Sequence, residues 1–104
     1  MTTAEIIEVK AAVGQAVAYL ESITDLLIQK GEQIQDLRLE ETELSEDGRY
    51  WFITLGYDRP LPAHRDPLSI LSGVGANRRY QREYRIFKIE SDSGVVKSMK
   101  IREL

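Results

Sequence analysis

Residues 5–31 read EIIEVKAAVGQAVAYLESITDLLIQKG, and their spacing decides the fold. Apolar side chains fall at Ile6, Val9, Val13, Ala16, Leu20, Ile23 and Leu27. Steps of three and four residues in alternation place all seven on one helical stripe. Ala12 and Val17 widen that stripe beyond a coiled-coil seam, as a helix packing on a sheet requires. Upstream, Thr2 and Glu5 have capping-box spacing, and downstream Lys30-Gly31 offers a cationic last turn and a left-handed stop. The pattern predicts a helix over about 3–30. Gly14 interrupts it at a cost of about 1 kcal/mol relative to Ala, which implies that a strand or another helix approaches closely there.

Outward from this helix the chain alternates with period two. Leu37 and Leu39 share one strand face, whereas Thr42 and Leu44 have the opposite parity. One extra residue near Glu40-Glu41, a β-bulge, restores a single inward face. Ser45-Glu46-Asp47-Gly48 reads as a hairpin turn with Gly48 supplying positive φ. The return strand carries Trp51, Ile53, Leu55 and Tyr57 on its bulkier face, which is assigned to the core. Two more strands follow around the turn Ser91-Asp92-Ser93-Gly94, with Phe87 and Ile89 sharing a face on the first. The expected strands are about 37–44, 49–57, 79–90 and 95–102. Between them, residues 58–77 hold all three prolines and read as a long loop, with a short helical turn over Asp66–Gly73. The order helix, strand, strand, loop, strand, strand predicts one α+β domain: a long N-terminal helix packed on a four-stranded antiparallel meander.

Composition excludes several classes. The chain has 104 residues, 42% of them hydrophobic, which suits a single domain with one core. The absence of cysteine removes disulfides, zinc thiolates and a thiol nucleophile. No apolar run is long enough for a bilayer, and the first residues lack a basic head with an apolar stretch, so the cytoplasm is the expected compartment. Charge is uneven. Residues 1–58 hold twelve acids and four bases, and residues 59–104 hold ten bases and five acids. Such a split neutralises itself if neighbouring strands pair across a sheet, and steers partners of opposite sign if they do not.

Tyr84-Arg85-Ile86-Phe87-Lys88-Ile89-Glu90 followed by Asp92-Ser93-Gly94-Val95-Val96 resembles the strand–turn–strand unit of PepSY-type domains. Those domains, like the cystatin-like folds, drape an antiparallel sheet around a helix. The resemblance covers some twenty residues. It implies the same helix-on-sheet fold, and through the family's links to peptidase inhibition it implies a peptide-binding or inhibitory role.

Catalytic chemistry finds little footing. The one histidine, His64, lies in the Pro-rich loop beside Asp66 without the orienting partners that base catalysis needs. Glu40, Glu41, Glu43, Glu46 and Asp47 read as a charge-protected edge strand, since no calcium-type loop of Asp, Asn and Gly accompanies them. Gly73-Val74-Gly75 lacks the third glycine and the following helix of a phosphate loop. No catalytic, metal or cofactor residue is therefore assigned.

Arg78, Arg79, Tyr80, Arg82, Tyr84 and Arg85 form the most suggestive constellation. In extended geometry Arg78, Tyr80, Arg82 and Tyr84 share the face opposite Phe87 and Ile89, and Tyr50 and Phe52 add to it from the neighbouring strand. The ordinary reading has arginine stems covering tyrosines, with their heads paired to the acids of residues 40–47. A functional reading makes Arg78, Tyr80, Arg82, Tyr84, Tyr50 and Phe52 a protein interface, since Tyr and Arg are enriched at such surfaces. A second uses the same side chains to stack on single-stranded bases, although a pI near 5.2 weighs against it. The leading expectation is a non-catalytic interaction module that self-associates, as a homodimer, through this face. A single-stranded nucleic-acid binder and a peptide-binding or inhibitory domain are the alternatives.

Overall fold

The computed structural model describes residues 5–29, 31–61 and 79–103. One helix, α1 (Val9–Leu27), is followed by β1 (Gln35–Leu44), β2 (Tyr50–Pro60), β3 (Tyr80–Glu90) and β4 (Val96–Ile101). The strands form a single antiparallel sheet in the order β1-β2-β3-β4, so the expected α+β meander is the architecture found. The helix packs across β2, β3 and β4.

The helix is shorter than the stripe predicts. It starts at Val9, with Glu8 as an N-cap that makes no side-chain capping bond. Thr2 and Lys30 lie outside the described residues. The physical reason is a competing set of bonds: Ile7 N–H donates to the Ser91 carbonyl at 2.7 Å, and the Trp51 indole donates to the Ile7 carbonyl at 3.0 Å. A carbonyl and an amide spent on the sheet pin this segment in extended form just before the helix. At the other end Ile28 is already extended, and the positive φ expected of Gly31 occurs beyond the helix end.

The buried line of the helix is Ala12, Ala16 and Leu20, flanked by the partly buried Val13, Val17 and Leu27. Two alanines at the centre bring the helix axis close to the sheet, where it meets Ile53, Leu55, Tyr57, Phe87 and Ile89. Tyr19 adds an edge-on contact to the Phe87 ring, with centroids 6.0 Å apart. Gly14 does not mark a close approach: nothing lies within 4 Å of where its Cβ would stand, because it faces away from the sheet.

The parity change in β1 is resolved as expected. Leu39 pairs with Leu55 and Glu41 with Thr54, so a bulge at Glu40 absorbs one residue and returns Thr42 and Leu44 to the inward side. A second irregularity lies between Gln35 and Arg38, where Asp36 takes φ +53°. Inward parity does not bury these positions, and Leu39 and Leu44 stay exposed because α1 lies over the other three strands.

β2 runs three residues beyond the expected end at Tyr57, so Asp58, Arg59 and Pro60 belong to the strand rather than to a loop. Pro60 is tolerated because Leu61 N–H donates to the Arg79 carbonyl, which fixes the alternation so that position 60 turns its missing N–H away from β3. β1 has ended there, its first pair being Gln35 with Asp58. Residues 62–78, including His64, the Asp66–Gly73 turn, Gly73-Val74-Gly75 and Arg78, lie outside the described residues.

Both hairpin turns use glycine with positive φ, Gly48 at +72° and Gly94 at +78°. In the first, Ser45 Oγ donates to Asp47 Oδ1 at 2.6 Å and Arg49 N–H donates to the same oxygen at 3.0 Å. These bonds, the serine's first, hold the Asp47 carboxyl below the ordinary aspartate range.

Two outcomes follow. Replacing Trp51 by Phe removes the bond to the Ile7 carbonyl and destabilises the fold by about 1–2 kcal/mol, read by urea denaturation, with faster amide exchange at Ile7. The folded pKa of Asp47 is depressed, so its contribution is complete above the unfolded value and disappears as pH falls through the folded one. The stability gap between the native chain and Asp47→Asn therefore narrows on acidification through that window, whereas a gap independent of pH contradicts the ionic role.

Candidate functional site

The outer face of the sheet, opposite α1, carries the aromatic and arginine residues singled out above. Register places Tyr50 beside Glu90, Phe52 beside Lys88, Tyr84 beside Gly56, Arg82 beside Asp58 and Tyr80 beside Pro60. All five described members share that face, but they form two groups. Phe52 is four residues from Gly56, roughly 13 Å along the strand at about 3.3 Å per residue, and Thr54 and Ile86 lie between.

Arg82 is the hub of the second group. Its guanidinium lies 2.8 Å from Glu40, 3.3 Å from Asp58 and 3.4 Å from Asp36, and it donates to the Asp36 carbonyl at 2.6 Å. Burial works against its charge, and the hydrogen bonds to Glu40 and Asp58 more than offset this, so its pKa lies above the ordinary arginine value. Gly56 forms the floor beneath the pair: a Cβ there would stand 2.7 Å from Glu40 Oε1 and 2.9 Å from Arg82 Nη2. The bulge at Glu40 is what swings that carboxylate over the glycine. Next along, Arg102 bonds Glu41 at 2.6 Å and Thr54 at 3.2 Å, tying β4 to β1 across the whole face. Lys88 sits over the Tyr50 ring at 4.2 Å and Arg82 near the Tyr84 ring at 6.0 Å. Among the described residues, Arg82 and Arg102 of the basic second half thus meet acids of the first half across the sheet.

A different feature appears along the edge. β4 stops short of β3: Ile101 pairs with Arg85, and Arg102 N–H donates to the Tyr84 carbonyl at 3.0 Å. Beyond that point β3 continues to Tyr80, still paired with β2 on its other side. The alternation sends the N–H and C=O of Arg82 and Tyr80 in the same direction as those of Tyr84. Among the described residues nothing pairs with them. A cleft lined by Gln81, Arg82, Glu83, Tyr84, Arg85, Ile101, Arg102 and Glu103 lies along this step.

The inner face behind that step holds a polar group that the sequence pattern does not reveal. Tyr57 pairs with Glu83 and Leu55 with Arg85, so Tyr57, Glu83, Arg85 and the neighbouring Arg59 share the core side. Arg59 Nε lies 2.7 Å from Glu83 Oε1, but at an angle too bent for a hydrogen bond, and the Tyr57 hydroxyl has no partner. Arg85 was grouped with the surface arginines, yet it is buried, with its guanidinium 5.9 Å from the Tyr57 ring centroid. The signal available in the sequence was parity: Arg85 is in step with Phe87 and Ile89, not with Tyr84.

Among the described residues, no group of three or more acidic or histidine side chains is arranged to hold a metal ion, and no helix is long and apolar enough to cross a membrane. No family model, curated protein or solved structure matches this chain.

Replacing Arg82 by Ala leaves Asp36, Glu40 and Asp58 facing one another. At low salt the variant is less stable by about 1 kcal/mol, as a partly exposed multi-carboxylate network allows. Added salt screens the repulsion and closes the gap. A deficit that persists unchanged at 1 M salt (a Debye length of about 3 Å) would show that packing, not charge, is what Arg82 supplies.

Proposed function

We propose that this protein is a non-catalytic interaction module that binds an extended segment of a partner protein along the free edge of β3. The observation that carries the reading is the step between β3 and β4. Among the described residues, it leaves the backbone donors and acceptors of Tyr80 and Arg82 unpaired along a cleft in strand geometry. An extended peptide placed there continues the line of β4 and gains main-chain hydrogen bonds, the mode known as strand addition. Tyr80 and Tyr84 then flank the guest on the outer side, and Gln81 and Glu83 on the inner side. The opposite edge of the sheet is less receptive, since β1 is broken by two irregularities and lined by Glu40, Glu41 and Glu43. The resemblance of the last hairpin to PepSY-type domains points the same way, toward a peptide-binding role.

The geometry gives less support to the outer face as a contact surface. Its arginines are engaged by carboxylates of the same chain, so a nucleic-acid phosphate would have to displace Glu40 or Glu41 to reach them. Self-association through Tyr50, Phe52, Tyr80 and Tyr84 has to bridge two separated groups.

The test is an amide-shift titration by NMR with the blocked peptide acetyl-Thr-Val-Thr-Val-amide, which carries strand propensity and no charge. Saturable shifts confined to Tyr80 through Tyr84 and Arg102 are expected. Tyr80→Pro, which removes a donor at the first position of the strand where proline is tolerated, weakens them at least tenfold with the remaining spectrum intact. Shifts confined to Tyr50 and Phe52, or a dimer by light scattering that Tyr80→Ser with Tyr84→Ser abolishes, would move the function to the outer face and overturn the edge.

A further inference from the structure

We infer that Tyr57, Arg59 and Arg85, arranged around Glu83 on the inner face of β2 and β3, form a binding site for a single carboxylate group. Three observations converge on it. First, hydrogen-bonding capacity is left over in a buried place. Tyr57 is 0% exposed and its hydroxyl is without a partner, while Arg59 Nε and Glu83 Oε1 face each other without a hydrogen bond. Buried polar atoms are almost always satisfied, so an unpartnered Tyr57 hydroxyl beside an ion pair too bent to hydrogen-bond points to a ligand.

Second, the charge does not balance. Among the described residues, two guanidinium groups meet one carboxylate, an excess of one positive charge. The Arg85 side chain is 8% exposed, and its two polar contacts are long, 3.5 Å to Glu83 Oε2 and 3.4 Å to the Tyr84 carbonyl. A buried cation so poorly matched is costly on its own and is stabilised by a partner of opposite sign. A monoanion restores neutrality, and a planar carboxylate matches the fork of a guanidinium better than any other simple anion of that charge.

Third, there is a way in. The cleft at the end of β4 is lined by Glu83 and Arg85, so this side of the group opens to the sheet edge, with Tyr57 and Arg59 on the strand behind it. Burial raises the pKa of the Tyr57 hydroxyl, which keeps it protonated and able to donate to such a ligand at neutral pH. Tyr57 belongs to the apolar core cluster, and low polarity around it strengthens a charged hydrogen bond made by its hydroxyl.

The carboxylate has two sources, a free small acid or the C-terminal end of a peptide laid along the β3 edge. Only the second rests on the strand-addition reading. The experiment titrates the full chain at constant ionic strength with sodium acetate, with acetyl-Thr-Val-Thr-Val bearing a free C-terminus, and with the same peptide as its amide. The Arg85 side-chain Nε–H and the Tyr57 ring signals are followed by NMR. Saturable acetate-induced shifts are expected, weakened at least tenfold by Tyr57→Phe and by Arg85→Met, and unchanged by Lys97→Ala, at an exposed position outside the cleft. Phenylalanine keeps the ring packing and methionine the stem, and the remaining amide spectrum reports whether each variant stays folded. If the free-acid peptide binds at least tenfold tighter than both acetate and the amide, the ligand is a peptide end. Equal binding of acetate and the free-acid peptide, with none of the amide, keeps the carboxylate site and discards the edge. Binding of the amide alone does the reverse. Absence of any acetate shift beyond that of chloride, or affinity untouched by both variants, overturns the site.

Discussion

Close approach of α1 to the middle of the sheet is the constraint on which the other features depend. Ala12 and Ala16 present only methyl groups to Ile53, Leu55, Phe87 and Ile89, and Leu20 closes the line. Small residues at the contact let the helix backbone sink toward the strands, so one helix of nineteen residues supplies the cover for β2 and β3. A lone helix is too narrow to cover four strands. β1 is left with its inward face largely in solvent beyond Leu37, and its exposed acids and two irregularities are what an edge strand with so little cover requires. The N-terminal segment follows from the same packing, because the indole of Trp51 and the carbonyl of Ser91 capture Ile7 at the point where the helix must begin.

The two faces of the sheet treat charge in opposite ways. On the outer face, partly solvated carboxylates from β1 and β2 surround Arg82, and Glu41 meets Arg102, so both of these arginines have counterions. On the inner face, two arginines share one glutamate beneath apolar cover, and a tyrosine hydroxyl is left over. A satisfied surface network contributes modest stability and little affinity for anything else. An incompletely satisfied, largely buried one is where a ligand gains most, since its donors are held in place in a low-polarity setting. For this reason the step in the sheet edge and the group behind it are better placed to bind a partner than the conspicuous tyrosines and arginines of the outer face.

Much of the architecture could be read in one dimension because its causes are local. Steps of three and four residues announced α1, and a change of parity between Leu39 and Thr42 announced the bulge at Glu40, since side chains on a strand can only alternate. The glycines of the two turns were legible for the same reason. Where reading and structure part, a distant group is responsible. The helix loses its first turns to Trp51 and Ser91, and Pro60 stays in β2 because β3 lies on the side that its missing N–H does not face. Arg85, counted with its surface neighbours by composition, belongs to the core by parity with Phe87.

Taken alone, the order of residues determined the helix, the four strands, the inward bulge and the opposing charges of the two halves, because each is set by neighbours within a few positions along the chain. Only the three-dimensional arrangement decided which charges cancel and which do not. The register that sets Tyr57 opposite Glu83, and the early end of β4 that leaves the Arg82 backbone unpaired among the described residues, are properties of strand pairing across the long segment between β2 and β3. Contacts between residues so far apart in sequence arise when the sheet assembles, and no local pattern encodes them.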